Sequence, residues 1–144
     1  MFIGRERELA SLNKLYNSGK FEFVVLYGRR RVGKTALINH FIDGKPTIYF
    51  MGVESNAKQN LENFSKNIVE YASGYDGDMS FLSFQGALEM VFRLSEKERL
   101  ILAIDEYPYV ARASKSLAST LQLLIDKYKD HSKLMLILCG SSMS

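Results

Sequence analysis

The residues best suited to chemistry lie in the stretch Gly28-Arg29-Arg30-Arg31-Val32-Gly33-Lys34-Thr35, which fits the pattern G-x-x-x-x-G-K-[ST]. In such a phosphate-binding loop, or P-loop, backbone N–H groups wrap a polyphosphate, and glycine stands where a Cβ would block the turn. The lysine reaches the β- and γ-phosphates, and the hydroxyl binds Mg²⁺. We therefore predict that these residues bind a nucleotide and that Thr35 binds the metal. The alternative is a glycine-rich basic turn at the surface.

This pattern is informative only when a strand precedes it and a helix follows. The run from Phe21 to Tyr27 is apolar, aromatic and β-branched, and it is short enough for a strand. From Ala36 to Ile42 the apolar residues fall on one face of a helix. The first turn of that helix, which includes Ala36, would add unpaired N–H donors and a positive dipole end to the phosphate site.

A second candidate is the acidic pair Asp105-Glu106, which directly follows the apolar run from Leu100 to Ile104. An uninterrupted apolar run is typical of a parallel strand that is covered on both faces. Asp105 is expected to hold Mg²⁺, directly or through water, from the side opposite Thr35. Glu106 would then orient or deprotonate the attacking water. The simpler alternative is a solvated acidic turn at the end of a strand.

Two further groups are less specific. Ser141 and Ser142 follow the last apolar strand, where a hydroxyl could contact the γ-phosphate or the water, but an ordinary serine-rich turn explains them equally well. The arginines at positions 29–31 occupy the variable positions of the loop, where the backbone holds phosphate. Their side chains could face solvent, a partner subunit or nucleic acid.

The bulk composition indicates one soluble domain. The chain has 144 residues, of which 47% are hydrophobic and 24% charged. The formal charge of +3 is too small to argue for nucleic acid by itself. A single cysteine allows no intramolecular disulfide, and no apolar run approaches the roughly 20 residues that span a bilayer. We therefore expect a cytoplasmic protein without a membrane partner.

The elements that would position these residues alternate between strand and helix. A second strand is predicted from Thr47 to Met51, and helical spacing appears in four further segments, 9–16, 61–72, 84–92 and 117–128. Tyr107 precedes Pro108 and is biased away from helical geometry, so the third strand should end there. Such alternation implies an α/β sheet with right-handed crossovers, whose ligands bind at the carboxyl ends of the strands. The P-loop, the acidic pair and the two serines are therefore expected at one edge.

Taken together, the motifs resemble those of the AAA+-like P-loop ATPases of archaea and bacteria. The resemblance covers nearly the whole chain and rests on Phe2-Ile3-Gly4-Arg5-Glu6-Arg7-Glu8-Leu9, Tyr27 with the P-loop, Ile104-Asp105-Glu106-Tyr107-Pro108-Tyr109 and Cys139-Gly140-Ser141-Ser142. It implies a three-layer P-loop NTPase fold of the α/β class, with a mostly parallel sheet, and identifies the P-loop and acidic pair as Walker A and Walker B motifs. It also implies that Phe2, Ile3 and Gly4 lie beside the adenine and that Ser141 or Ser142 is the residue called sensor 1.

Family members continue through a fifth strand and a helical lid, usually followed by a C-terminal domain, and their sheet order is 5-1-4-3-2. By this resemblance residues 1–144 are the nucleotide-binding core of a longer protein, and the arginine finger lies beyond Ser144. Without a fifth strand the P-loop strand would form an open edge, which invites pairing with another chain. We therefore expect self-association as a homo-oligomer or aggregate. Hydrolysis should be weak, because an arginine finger is worth about 10³ to 10⁵ in rate.

The leading interpretation is an Mg²⁺-dependent ATP-binding core that hydrolyses ATP to drive or switch a conformational change, with a DNA or protein client in the longer protein. One alternative is a nucleotide-switched regulatory or DNA-binding module without significant turnover, which the arginines at 29–31 keep open. Another is a P-loop kinase for a small molecule, in which Asp105 and arginines hold the acceptor. The adjacent Glu106 and the segment 2–9 argue against the kinase.

Overall fold

The computed structural model describes residues 6–27, 33–73 and 81–140. Helices and strands alternate along these residues. The helices are α1 Glu6–Tyr16, α2 Lys34–Ile42, α3 Ala57–Ser73, α4 Phe84–Lys97, α5 Tyr107–Ala113 and α6 Leu117–Tyr128. The strands are β1 Glu22–Tyr27, β2 Thr47–Met51, β3 Leu100–Asp105 and β4 Leu134–Gly140.

The four strands form one parallel sheet in the order β1-β4-β3-β2. This confirms the predicted α/β class and the order 1-4-3-2 that the resemblance implies for the first four strands. β4 therefore lies between the strand that precedes the P-loop and the strand that ends in Asp105. At the carboxyl ends, Tyr27 is paired with Gly140 and Met51 with Asp105.

Helices cover both faces of the sheet and make it the middle layer of three. One face packs against α1 and α2 through a cluster that includes Leu12, Phe41 and Ile137. The other face packs against α3, α4, α5 and α6 through a larger cluster that includes Phe64 and Phe92. Because both faces are covered, every residue of β3 and β4 is buried, which explains their continuous apolar sequences.

β1 forms one edge of the described sheet and is only half covered. Val24 and Leu26 pack on the α1 and α2 side, whereas Phe23, Val25 and Tyr27 are 48%, 39% and 58% exposed. Successive side chains of a strand point to opposite faces, so these three form one apolar stripe. The expectation that the P-loop strand lies at an edge is thus confirmed for the described residues.

The segment after β3 differs from the prediction. The strand ends at Asp105 as expected, but Tyr107 begins helix α5 instead of an extended segment. Pro108 lies in the first turn of this helix, where its missing N–H has no intrahelical partner to lose. The preference of a residue before proline for extended geometry is overridden here. None of the helices in the described ranges is long and apolar enough to span a bilayer.

Candidate functional site

The start of α2 carries the last three residues of the P-loop pattern. Gly33 has φ 81° and ψ 18°, a left-handed conformation that costs glycine little because it has no Cβ. Its carbonyl oxygen accepts the Leu37 N–H at 2.8 Å, which closes the first helical turn. No side chain caps this helix at Gly33, and no acidic residue lies in its first turn. Such an N-terminus, with Lys34 and Thr35 in its first turn, suits an anion.

Asp105, at the end of β3, is fully buried and is the centre of the polar contacts at this edge. Its Oδ2 accepts hydrogen bonds from Thr35 Oγ1 at 3.1 Å and from the Tyr49 hydroxyl at 2.6 Å. Its Oδ1 accepts the backbone N–H of Glu106 at 2.9 Å and lies 3.8 Å from Lys34 Nζ. Thr35 and Asp105 are thus in direct contact although they are 70 positions apart.

Lys34 and Asp105 compensate each other's charge in a largely dry environment. The lysine is 8% exposed and the aspartate 0%, and a buried charge is tolerated only when it is paired and hydrogen-bonded. Burial, reinforced by the hydrogen bond to Asp105, raises the pKa of the Tyr49 phenol, so that it remains a donor. Burial also raises the pKa of the neighbouring Cys139 thiol to about 12, which keeps it neutral.

Glu106 has an unusual backbone for a residue with a side chain. Its φ of 52° and ψ of 42° place it in the left-handed region, at the N-cap of α5. Outliers of this kind cluster at functional sites, where the surrounding structure enforces them. Gly52 packs against this turn: an added Cβ would lie 2.7 Å from the Glu106 carbonyl oxygen and 2.6 Å from Val110 Cγ2.

The oxygen atoms present would suit a hard divalent cation. The Thr35 hydroxyl and the Asp105 carboxylate lie together, and Mg²⁺ prefers oxygen ligands, usually one or two carboxylates plus waters and substrate phosphates. A cage of three or more acidic, histidine or cysteine side chains is not found among residues 6–27, 33–73 and 81–140. Magnesium bound beside a nucleotide does not need one.

The structure brings Lys34 and Thr35, which follow Gly33 at the start of α2, together with Asp105, and Glu106 is bonded to Asp105 through its backbone N–H. The other residues singled out from the sequence lie outside the described residues; they are Phe2, Ile3, Gly4, Gly28, Arg29, Arg30, Arg31, Val32, Ser141 and Ser142. Ala36 lies in the first turn of α2 and is exposed. Sequence reasoning missed Tyr49, because it is an unremarkable strand residue until the register of β2 against β3 is known.

The fold and this meeting of lysine, hydroxyl and carboxylate define the class of the protein as an AAA+-like P-loop ATPase domain. A model of a family described as an ATPase domain predominantly from Archaea matches residues 2–144. The chain belongs to this family and is an ATP-binding, ATPase-like module.

Two relatives come from Methanocaldococcus jannaschii. The uncharacterized protein MJECL04 is 32% identical over 148 aligned residues, which cover 100% of this chain and 30% of the relative. The uncharacterized ATP-binding protein MJ0423 is 49% identical over 45 residues, which cover 31% of this chain and 76% of the relative. The chain therefore spans less than a third of MJECL04.

Solved structures share the fold at low sequence identity. The Walker-type ATPase PABY2304 of Pyrococcus abyssi superposes with a TM-score of 0.64 at 23% identity, covering 97% of this chain and 45% of that one. Cdc6p of Pyrobaculum aerophilum superposes with a TM-score of 0.66 at 18% identity, covering 96% and 39%. This chain thus corresponds to less than half of either protein.

Proposed function

We propose that this domain binds ATP with Mg²⁺ at the start of α2 and the end of β3, and hydrolyses it. One observation carries the proposal: Lys34, Thr35 and Asp105 come from two distant motifs and meet within hydrogen-bonding and ion-pairing distance. The low-identity structures support only the fold. The choice of ATP is supported by the family and by the ATP-binding relative MJ0423.

Each of these side chains has a role that follows from its contacts. Lys34 presents a positive charge at the N-terminus of α2, where the helix dipole also attracts anions, and this suits the β- and γ-phosphates. The Thr35 hydroxyl donates a hydrogen bond to Asp105, so the lone pairs of its oxygen remain available to a cation. When bound, Mg²⁺ would neutralise charge on the phosphates. Asp105 orients the hydroxyl and supplies the negative charge that the cation requires.

Glu106 is proposed to orient or deprotonate the water that attacks the γ-phosphate. Its backbone N–H donates to Asp105 Oδ1, which holds the main chain of Glu106 beside the Asp105 carboxylate. By resemblance, Phe2, Ile3 and Gly4 would lie beside the adenine, and Ser141 or Ser142 would contact the γ-phosphate. By the same resemblance, hydrolysis would drive or switch a conformational change.

Calorimetric titration of ATP, ADP and GTP in the presence of Mg²⁺ tests the binding. Lys34→Ala should abolish ATP and ADP binding, because it removes the buried cation at the phosphates. Lys66→Ala is the matched control, since Lys66 is an exposed lysine on α3. The proposal fails if the unchanged protein binds none of these nucleotides, or if both lysine variants bind equally well.

Phosphate release tests the hydrolysis. Glu106→Gln preserves the size of the side chain but removes its basicity, so it should retain ATP affinity and lose turnover. Unchanged turnover in this variant would exclude Glu106 as the group that activates water.

A further inference from the structure

Tyr49 reaches the Asp105 carboxylate from the neighbouring strand β2. Its hydroxyl donates to Oδ2 at 2.6 Å, a shorter hydrogen bond than the 3.1 Å bond from Thr35 to the same oxygen. Hydrogen bonds to a carboxylate are shorter and stronger than those between neutral groups. Tyr49 therefore provides a strong anchor for one oxygen of the candidate metal-binding residue.

The sheet register explains why a tyrosine can make this contact. Tyr49 is paired with Ala103, and Asp105 lies two residues further along β3 on the same face. Neighbouring strands lie about 4.8 Å apart and two residues advance about 6.6 Å along a strand, so the two Cα atoms are roughly 8 Å apart, a distance that a long or aromatic side chain can span. A phenylalanine at this position would fill the same space but would place no donor against the carboxylate.

β2 also holds the backbone of Asp105. The N–H of Gly52, just after β2, donates to the Asp105 carbonyl oxygen at 2.8 Å. The end of β2 thus fixes the main chain through Gly52 and the side chain through Tyr49. Both contacts are made without any residue of the P-loop.

The hydroxyls of Thr35 and Tyr49, which both donate to Asp105 Oδ2, differ in their other roles. Thr35 is exposed and is itself the proposed ligand of the cation, whereas Tyr49 is partly buried and has no such second task. Among the described residues, Oδ2 accepts from two hydroxyls, so without the Tyr49 hydroxyl it would lose one of its two donors and the carboxylate would be freer to rotate. A carboxylate that is free to rotate would hold the cation less well than one in a fixed orientation.

We propose that Tyr49 is a positioning residue of the metal site, whose hydroxyl holds Asp105 in the orientation that serves a divalent cation beside the nucleotide. The inference rests on the proposed function, because it assigns Asp105 to Mg²⁺. Removing a hydrogen-bond partner of a metal ligand commonly lowers metal affinity 10- to 100-fold. Tyr49→Phe should therefore weaken Mg²⁺ binding while leaving the phosphate-binding groups in place.

The experiment measures binding of a fluorescent ADP analogue at graded Mg²⁺ concentrations and in excess EDTA. In Tyr49→Phe the Mg²⁺ concentration that gives half of the effect on ADP affinity should rise about 10-fold or more. The affinity measured in EDTA should stay within about two-fold, because Lys34 and the α2 N-terminus are unchanged. The matched control is Tyr71→Phe, which removes a hydroxyl that donates to the Glu98 carboxylate at 2.7 Å, away from the site.

The outcomes separate this inference from the function on which it rests. If the unchanged protein does not bind the analogue at all, both fail. If it binds with a clear Mg²⁺ midpoint that Tyr49→Phe leaves in place, only the role of Tyr49 is refuted. The same holds if Tyr49→Phe weakens binding equally with Mg²⁺ and with EDTA, which would indicate a general structural effect, or if Tyr71→Phe shifts the midpoint as much.

Discussion

Replacing Glu106 with glycine should leave the protein more stable than replacing it with alanine, which is the reverse of the order at an ordinary helical position. The φ of 52° and ψ of 42° cost a residue with a Cβ about 1–2 kcal/mol. This cost is present in the alanine variant and absent in the glycine variant. Glycine in turn lowers the free energy of unfolding by about 0.4–1 kcal/mol, because it increases the conformational entropy of the unfolded chain. We therefore expect Glu106→Gly to be more stable than Glu106→Ala by about 0.5–1 kcal/mol.

Urea unfolding followed by circular dichroism measures this difference, and both variants lack the carboxylate, so the Cβ is the only change between them. Glu62, exposed on α3, provides the matched control pair. There Glu62→Gly should be less stable than Glu62→Ala by about 1 kcal/mol, the usual helical penalty of glycine. If the pair at Glu106 follows the order of the control pair, the backbone at Glu106 is not left-handed in solution and carries no strain there.

Two further predictions concern the frame of the site. Arg99 donates hydrogen bonds to four carbonyl oxygens, those of Leu15, Tyr16, Lys20 and Lys133. Arg99→Ala should lower the free energy of unfolding by about 2 kcal/mol in urea titration, because it removes hydrogen bonds from a charged donor, two of them part-buried. A loss no greater than that of the exposed control Arg93→Ala would contradict this. The apolar stripe on β1 should cause self-association that Val25→Lys reduces, since a lysine on an edge strand opposes pairing. Sedimentation equilibrium measures it, and a monomer at all concentrations before substitution would refute it.

The alternation of strands and helices made most of the fold predictable. The continuous apolar sequences of β3 and β4 indicated a sheet covered on both faces, and the structure has that arrangement. Helix α5 is not evident from the sequence, because Tyr107-Pro108 also fits the end of a strand. Proline is equally suited to the first turn of a helix, so its presence alone does not distinguish the two.

Only the site residues that belong to the two sequence motifs could be predicted. The pattern around Lys34 and the acidic pair Asp105-Glu106 predicted which residues should meet, and Thr35 and Asp105 do meet. Tyr49 was not predictable, because a diagonal contact between two strands depends on their register, which local sequence does not determine. The left-handed backbone of Glu106 was also unforeseen, since glutamate is not a residue type that usually adopts it.

The strand order also determines when the site can form during synthesis. Within the described sheet β1 is paired only with β4, from Glu22 with Met135 to Tyr27 with Gly140. At roughly 5–20 residues per second, a ribosome needs on the order of 10 s to make the chain between these strands. During that interval no strand of the described sheet can pair with β1, and the strand that lies between β1 and β3 is still missing. β1 is therefore synthesised early but pairs late, and a chaperone would be most useful to the chain in that interval.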